Sequence, residues 1–248
     1  MVARRLRGLI VATALACAVS LPAAGAAPTA RPIVWVQAGH ESPREPGYRA
    51  QTGAAGEVQF NVRIAAEVER RLRAAGVDAR HSPGLVTGFP SRGAVFVAIH
   101  HDTPDGHAAV GHAITGAGEN WYRGEGFGDA RSTPYSDSAP HRTPATTVSP
   151  AVEARSRRLA SRLRARYATV FTRANGARSG PVRLEARNGN RRVMRYVGYY
   201  RTRADARVLV ESGAGGTDAV MLRRTDVIAK AITGAIIGYL RDEGRLPR

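Results

Sequence analysis

The chain has almost no cysteine and almost no lysine: Cys17 and Lys230 are the single examples in 248 residues. Cys17 lies inside the apolar run Leu9 to Leu21, which reads as part of a removable leader. The remaining chain then has neither thiol nor disulfide, which excludes a cysteine nucleophile and a cysteine-ligated zinc. Acid is scarce too, with 20 Asp and Glu against 37 Lys and Arg, giving a formal net charge of +17. No internal repeat is visible, and no apolar run after residue 27 is long enough to span a bilayer. There is no short-spaced His-x-x-His pair. The arginines are scattered, and no nucleic-acid recognition motif accompanies them, so nucleic acid is not an expected partner.

What is present begins with the leader. Arg4, Arg5 and Arg7 precede Leu9 to Leu21, and the small residues Ala23-Ala24-Gly25-Ala26-Ala27 precede Pro28. This is the layout of a secretory signal over residues 1–27, which implies a secreted or periplasmic protein. An uncleaved N-terminal anchor is one alternative. Leu15-Ala16-Cys17 offers another, lipoprotein anchoring at Cys17, but Ala14 stands where a larger aliphatic residue is expected. The three leader arginines account for three of the +17 charges, leaving +14 on residues 28–248. Such a surplus draws a protein to anionic envelope polymers or lipid head groups.

Residues 28–248 suffice for one α/β domain, and 43% apolar with 23% charged residues is ordinary globular composition. Short apolar runs predict strands at 33–38, 94–99 and 207–210, with further strands at 77–81, 110–114 and 193–200. Apolar residues at every third or fourth position predict helices over 57–75, 152–173 and from 225 onward. Residues 115–150 read as a long irregular insert, and 174–192 as mostly irregular. Strands alternating with helices predict a mostly parallel, twisted sheet with helices on both faces. Sites in such sheets form at the carboxyl ends of the strands.

Three apolar strands are expected to end in a side chain capable of chemistry: His40, His100 and Glu211. Catalytic zinc takes three His or carboxylate ligands and leaves one position for water. His40 and His100, with Glu57 at the start of the first helix, supply that set. Glu211 is placed to act as the general acid/base. Each residue also has an ordinary reading: a loop histidine, a carboxylate favoured by a helix start, a surface acid. His101 is expected to point away from His100, and His112 is weighed as a substrate contact against a surface histidine. Asp102 could orient a ligand or cap a turn, and Tyr196, Tyr199 and Tyr200 could stack on sugar rings or fill the core.

Val34-Trp35-Val36-Gln37-Ala38-Gly39-His40 resembles the first strand and Gly-His of the type 3 family of zinc-dependent N-acetylmuramoyl-L-alanine amidases. Glu57 after its loop, Phe96 to Asp102, and Val208-Leu209-Val210-Glu211 resemble that family's later motifs. The resemblance runs from about Ile33 to Leu240. It implies Zn2+ held by His40, Glu57 and His100, catalysis by Glu211, and hydrolysis of the amide joining N-acetylmuramic acid to L-alanine in peptidoglycan or a muropeptide. The chain departs from the family at Glu41-Ser42, where a Gly pair is usual, at His101-Asp102 and at Ser212-Gly213. Two other functions compete with this one: a zinc peptidase or amidohydrolase of similar fold acting on a small amide, and a cationic envelope-binding protein with a degenerate site.

Overall fold

The computed structural model describes residues 30–41, 56–83, 91–102, 107–115, 122–123, 142–143, 148–175, 182–186, 202–214 and 223–248. The expected leader, the strand expected at 193–200, His141 and the three tyrosines at 196, 199 and 200 lie outside the described residues. So does most of the 115–150 insert.

The element order is β1 Ile33–Ala38, α1 Glu57–Ala74, β2 Asp78–Pro83, β3 Ser91–Asp102, β4 Ala109–His112, β5 Tyr122–Arg123, β6 Arg142–Thr143, α2 Pro150–Asn175, β7 Arg183–Ala186, β8 Thr202–Ala214 and α3 Thr225–Asp242. Six strands form one sheet in the order β2-β1-β3-β8-β4-β7, and β5 pairs with β6 separately. The pairs β1–β2, β1–β3, β3–β8 and β4–β7 are parallel, and β4 runs antiparallel to β8. The expected α/β domain with a mostly parallel sheet is therefore present.

Alternation along the strands divides the sheet into two faces. Val34, Val36, Val95, Val97, Ile99, Val208 and Val210 form one core with apolar residues of all three helices. Those helices include Ile64, Val68 and Leu72 of α1, Leu159 and Leu163 of α2, and Ile232 and Ile236 of α3. Phe96, Ala98 and Leu209 point to the other face and are buried as well. Apolar runs without polar alternation are what a sheet buried on both sides requires. The three described helices nevertheless all pack into the one core.

Helix ends follow local chemistry. After α1, Gly76 has φ 82 and donates to Arg73, while Val77 donates to Leu72. After α3, Gly244 has φ 68 and donates to Arg241, while Arg245 donates to Leu240. Both are Schellman closures, in which a left-handed glycine lets the chain satisfy the last carbonyls.

Two expectations change. Strands β3 and β8 extend well past the apolar runs 94–99 and 207–210, so His100 and Glu211 sit inside strands rather than at their ends. Backbone pairing continues through polar residues; Arg207, inside β8, is buried and donates from Nε to the Ala204 carbonyl at 3.0 Å. Residues 183–186, expected to be irregular, form β7, which among the described strands pairs only with β4 and needs little apolar surface. Among the described residues no helix is long and apolar enough to cross a membrane.

Candidate metal centre

Strand β1 ends at Ala38 and the chain turns at once. Gly39 donates to the Ile99 carbonyl at 2.8 Å, and Glu41 donates back to Ala38 at 3.2 Å. His40, the third residue of this turn, has φ 62. Turns with a left-handed third residue normally place glycine there. A non-glycine residue in that conformation costs on the order of 1 kcal/mol or more, and such strain gathers at functional sites. Helix α1 begins at Glu57, behind Gly56 at φ 78. Because α1 runs back antiparallel to the strands it connects, its first turn lies at their carboxyl ends.

These elements bring His40, Glu57 and His100 together. His40 Nε2 lies 3.3 Å from Glu57 Oε1, and His100 Nδ1 lies 3.5 Å from the same oxygen. One ligand atom from each residue falls within 4.8 Å of the others, and all three residues are buried. The imidazoles meet edge to face, with centroids 4.9 Å apart and an interplanar angle of 79°. Atoms held ~2.1 Å from a tetrahedral zinc ion stand about 3.4 Å apart, so this spacing fits zinc. Two nitrogens and one carboxylate favour zinc or a similar borderline metal over magnesium or calcium.

Burial, reinforced by His100 and opposed by Glu57, pushes the His40 pKa down to about 4. The imidazole is then neutral at neutral pH, and its nitrogen lone pair is available to a metal. The short contact to Glu57 is accordingly a neutral imidazole and a carboxylate facing one space rather than an ion pair. His100 Nε2 is buried and, among the described residues, has no hydrogen-bond partner.

Two further donors fix Glu57. Asn61, one turn along α1, donates from Nδ2 to Glu57 Oε1 at 3.4 Å and to the Gly39 carbonyl at 3.1 Å. The His101 backbone N–H donates to Glu57 Oε1 at 3.3 Å. Asn61 was not among the expected site residues. Its signal in the sequence is the i, i+4 spacing from Glu57, which places both on one helix face.

Gly39 makes room for the second histidine. A Cβ there would lie 2.5 Å from His100 Cε1 and 2.6 Å from both ring nitrogens. We expect Gly39→Ala to displace that ring and weaken metal binding about 10–100-fold, the range found when a ligand's support is disturbed. Metal titration checks this, with the melting temperature as the control for folding.

Glu211 and His100 are register partners on the parallel strands β8 and β3, so their side chains leave the same face about 4.8 Å apart along the backbone. Glu211 is half-buried. The other histidines are elsewhere. His101 packs on Phe60 with centroids 5.2 Å apart. His112 is buried, with Nδ1 3.1 Å from the Ala113 carbonyl, rather than at the surface. His107 pairs with Glu185 at 2.9 Å.

Glu41, one of the departures from the family pattern, has a partner in space. His81 of β2 contacts Glu41 through Nε2 at 2.5 Å and Glu69 of α1 through Nδ1 at 2.7 Å. The Glu41 and Glu69 carboxylates raise the His81 pKa from 6.5 to about 9. A raised histidine pKa stabilises the fold fully below the unfolded value and stops doing so as pH rises through the folded value. The melting temperature should therefore fall between about pH 6.5 and 9. In His81→Gln that slope should flatten. Water screens this part-exposed triad, which limits the effect to about 1 kcal/mol, or about 2–4 °C.

At the level of sequence, no family model and no curated protein matches this chain. Solved structures do match. N-acetylmuramyl-L-alanine amidase Ami1 from Mycobacterium smegmatis aligns with a TM-score of 0.52 at 17% identity, over 86% of this chain and 99% of that one. N-acetylmuramoyl-L-alanine amidase from Clostridium difficile 630 aligns with a TM-score of 0.50 at 14% identity, again over 86% and 99%. The chain has the fold of these amidases across nearly their whole length.

Proposed function

We propose that this chain is an exported zinc amidase that hydrolyses the bond between N-acetylmuramic acid and L-alanine in peptidoglycan. The observation that carries the reading is the buried His40–Glu57–His100 group, with Glu211 on the neighbouring strand, in a fold shared with proteins named for this activity. The cationic composition and the leader-like residues 1–27 agree with work in an anionic envelope.

His40, Glu57 and His100 hold the metal, and the Glu57 carboxylate offsets part of its charge. When bound there, zinc supplies a Lewis acid for the scissile carbonyl and a nucleophilic water at neutral pH. Glu211 takes a proton from the attacking water and delivers it to the departing nitrogen. The carbonyl carbon gains a C–O bond and loses its C–N bond. The products are a free lactyl carboxyl on the sugar and a free amine on the stem peptide. Asn61 and the His101 N–H keep Glu57 from turning away during this cycle.

The test uses purified protein with defined muropeptides, with and without a chelator. Release of stem peptide that stops with chelator and returns with zinc supports the proposal. Hydrolysis of N-acyl amino acids but not of muropeptides would move the function to a small-amide hydrolase. Zinc-free protein with no hydrolysis of either would leave only an envelope-binding role.

A further inference from the structure

A second site lies at the other end of α1. That helix runs from Glu57 at the metal group to Arg70 and Arg71, thirteen residues on, or about 20 Å at 1.5 Å per residue. There α1, α2 and α3 border an open surface hollow of about 450 Å3 lined by Arg70, Arg71, Arg166, Lys230, Thr233 and Gly234, among others.

Its charge is unbalanced. Arg70 and Arg71 share one carboxylate, Glu67, each at 2.6 Å. Among the described residues neither Arg166 nor Lys230 has an ion-pair partner. Thr233 is only 5% exposed, and its hydroxyl has no hydrogen-bond partner. Buried hydroxyls are normally paired, so this donor is reserved for something or costs stability.

The packing is also unusual. Gly234 and Gly238 sit in the interior of α3, where each is less favourable than alanine by about 1 kcal/mol. A Cβ at Gly234 would lie 2.4 Å from Arg166 Nη1, and one at Gly238 would lie 2.6 Å from Arg162 Nη1. The glycines let two arginine side chains from α2 come close against α3. Arg162 is answered there by Asp242, but among the described residues Arg166 is not answered. Arg166 is exposed, and a guanidinium fork without an acceptor can take a bidentate oxyanion.

We propose that this hollow binds a phosphate group of a base-free phosphodiester chain, such as a polyol phosphate, through Arg166, Lys230, Arg70, Arg71 and the Thr233 hydroxyl. The hollow adjoins a second one of about 840 Å3, and the two share Arg166. The second is lined by Arg157, Arg158 and Arg162 as well, and by Glu243 and Asp242, which pair with Arg158 and Arg162. The positive surplus left by Arg70, Arg71, Arg157, Arg166 and Lys230 spreads over both hollows, which matches a chain carrying repeated phosphates better than a single lipid head group. Neither lining offers an exposed aromatic ring on which a nucleic-acid base could stack. The site stands independently of the metal group.

The full chain is titrated calorimetrically with inorganic phosphate and with a short glycerol phosphate oligomer, at fixed ionic strength. Saturable binding of both is expected, tighter for the oligomer. Gly234→Ala changes no charge but pushes the Arg166 fork away, and should weaken binding about tenfold with no fall in melting temperature. Thr233→Val should weaken it with the fold equally intact, and Arg166→Gln provides the same test should Gly234→Ala fail to fold. The double variant Arg63→Gln/Arg223→Gln removes two exposed charges outside the hollow and should bind like the parent. Equal weakening in that control, or parental binding by both Gly234→Ala and Arg166→Gln, would overturn the site. Tighter binding of an oligonucleotide with the same number of phosphates, or binding only to phosphatidylglycerol vesicles, would overturn the assigned ligand.

Discussion

Glu57→Gln is expected to yield a folded protein that binds zinc more than about 100-fold more weakly and has no measurable amidase activity at ordinary zinc levels. Disturbing a ligand's support alone costs about 10–100-fold; here the ligand itself changes. Glu57 is the only carboxylate in the group, and Oε1 is the atom on which both imidazoles converge, at 3.3 and 3.5 Å. An amide in its place removes the negative charge and, in one of its two orientations, sets an NH2 donor against the Asn61 amide and the His101 N–H that now point at the oxygen. Metal analysis after dialysis, alongside circular dichroism, separates loss of zinc from loss of fold. A Glu57→Gln protein that keeps stoichiometric zinc would remove Glu57 from the ligand set.

Glu211→Gln should behave differently. Zinc content and melting temperature stay near those of the parent, while kcat falls about 100- to 10,000-fold, the contribution typical of a positioned acid/base. Glutamine keeps the shape of the side chain beside His100 but can neither take nor return a proton. KM should change little, because the loss falls on a step made only in the transition state. Activity within tenfold of the parent would show that another group moves the proton. The two variants together split the site into a part that holds the ion and a part that handles protons.

Much of this was legible in the sequence, and the reason is burial. Val95 to Ile99 and Val208 to Val210 are apolar without interruption, and Val34 to Ala38 is broken only by the buried Gln37, because both faces of the sheet are covered, so the strands showed as runs and His40, His100 and Glu211 showed as the groups following them. Glu57 was visible because a helical period starts there. What stayed hidden depends on contacts that leave no apolar trace. Strand β7 pairs along one edge and buries little. Arg207 continues a strand as a buried cation. Asn61 reads as an ordinary helix residue until Gly39 and Glu57 are placed beside it. Glu41 looked like a bare departure from the family pattern, and its partner His81 lies forty residues away.

The turn at Gly39-His40 has a consequence for anyone selecting stabler versions of this protein. Its residues stand in the reverse of the order that backbone preference favours, with the side chain where glycine belongs and glycine where a side chain would be free to sit but for His100. Selection on thermal tolerance alone should drift towards glycine at position 40, since that change relieves a left-handed residue and removes a buried imidazole. Such clones would survive heat better and would have discarded one member of the candidate metal group. A screen meant to keep the enzyme must therefore reward turnover in every round, because at this turn robustness and activity pull in opposite directions.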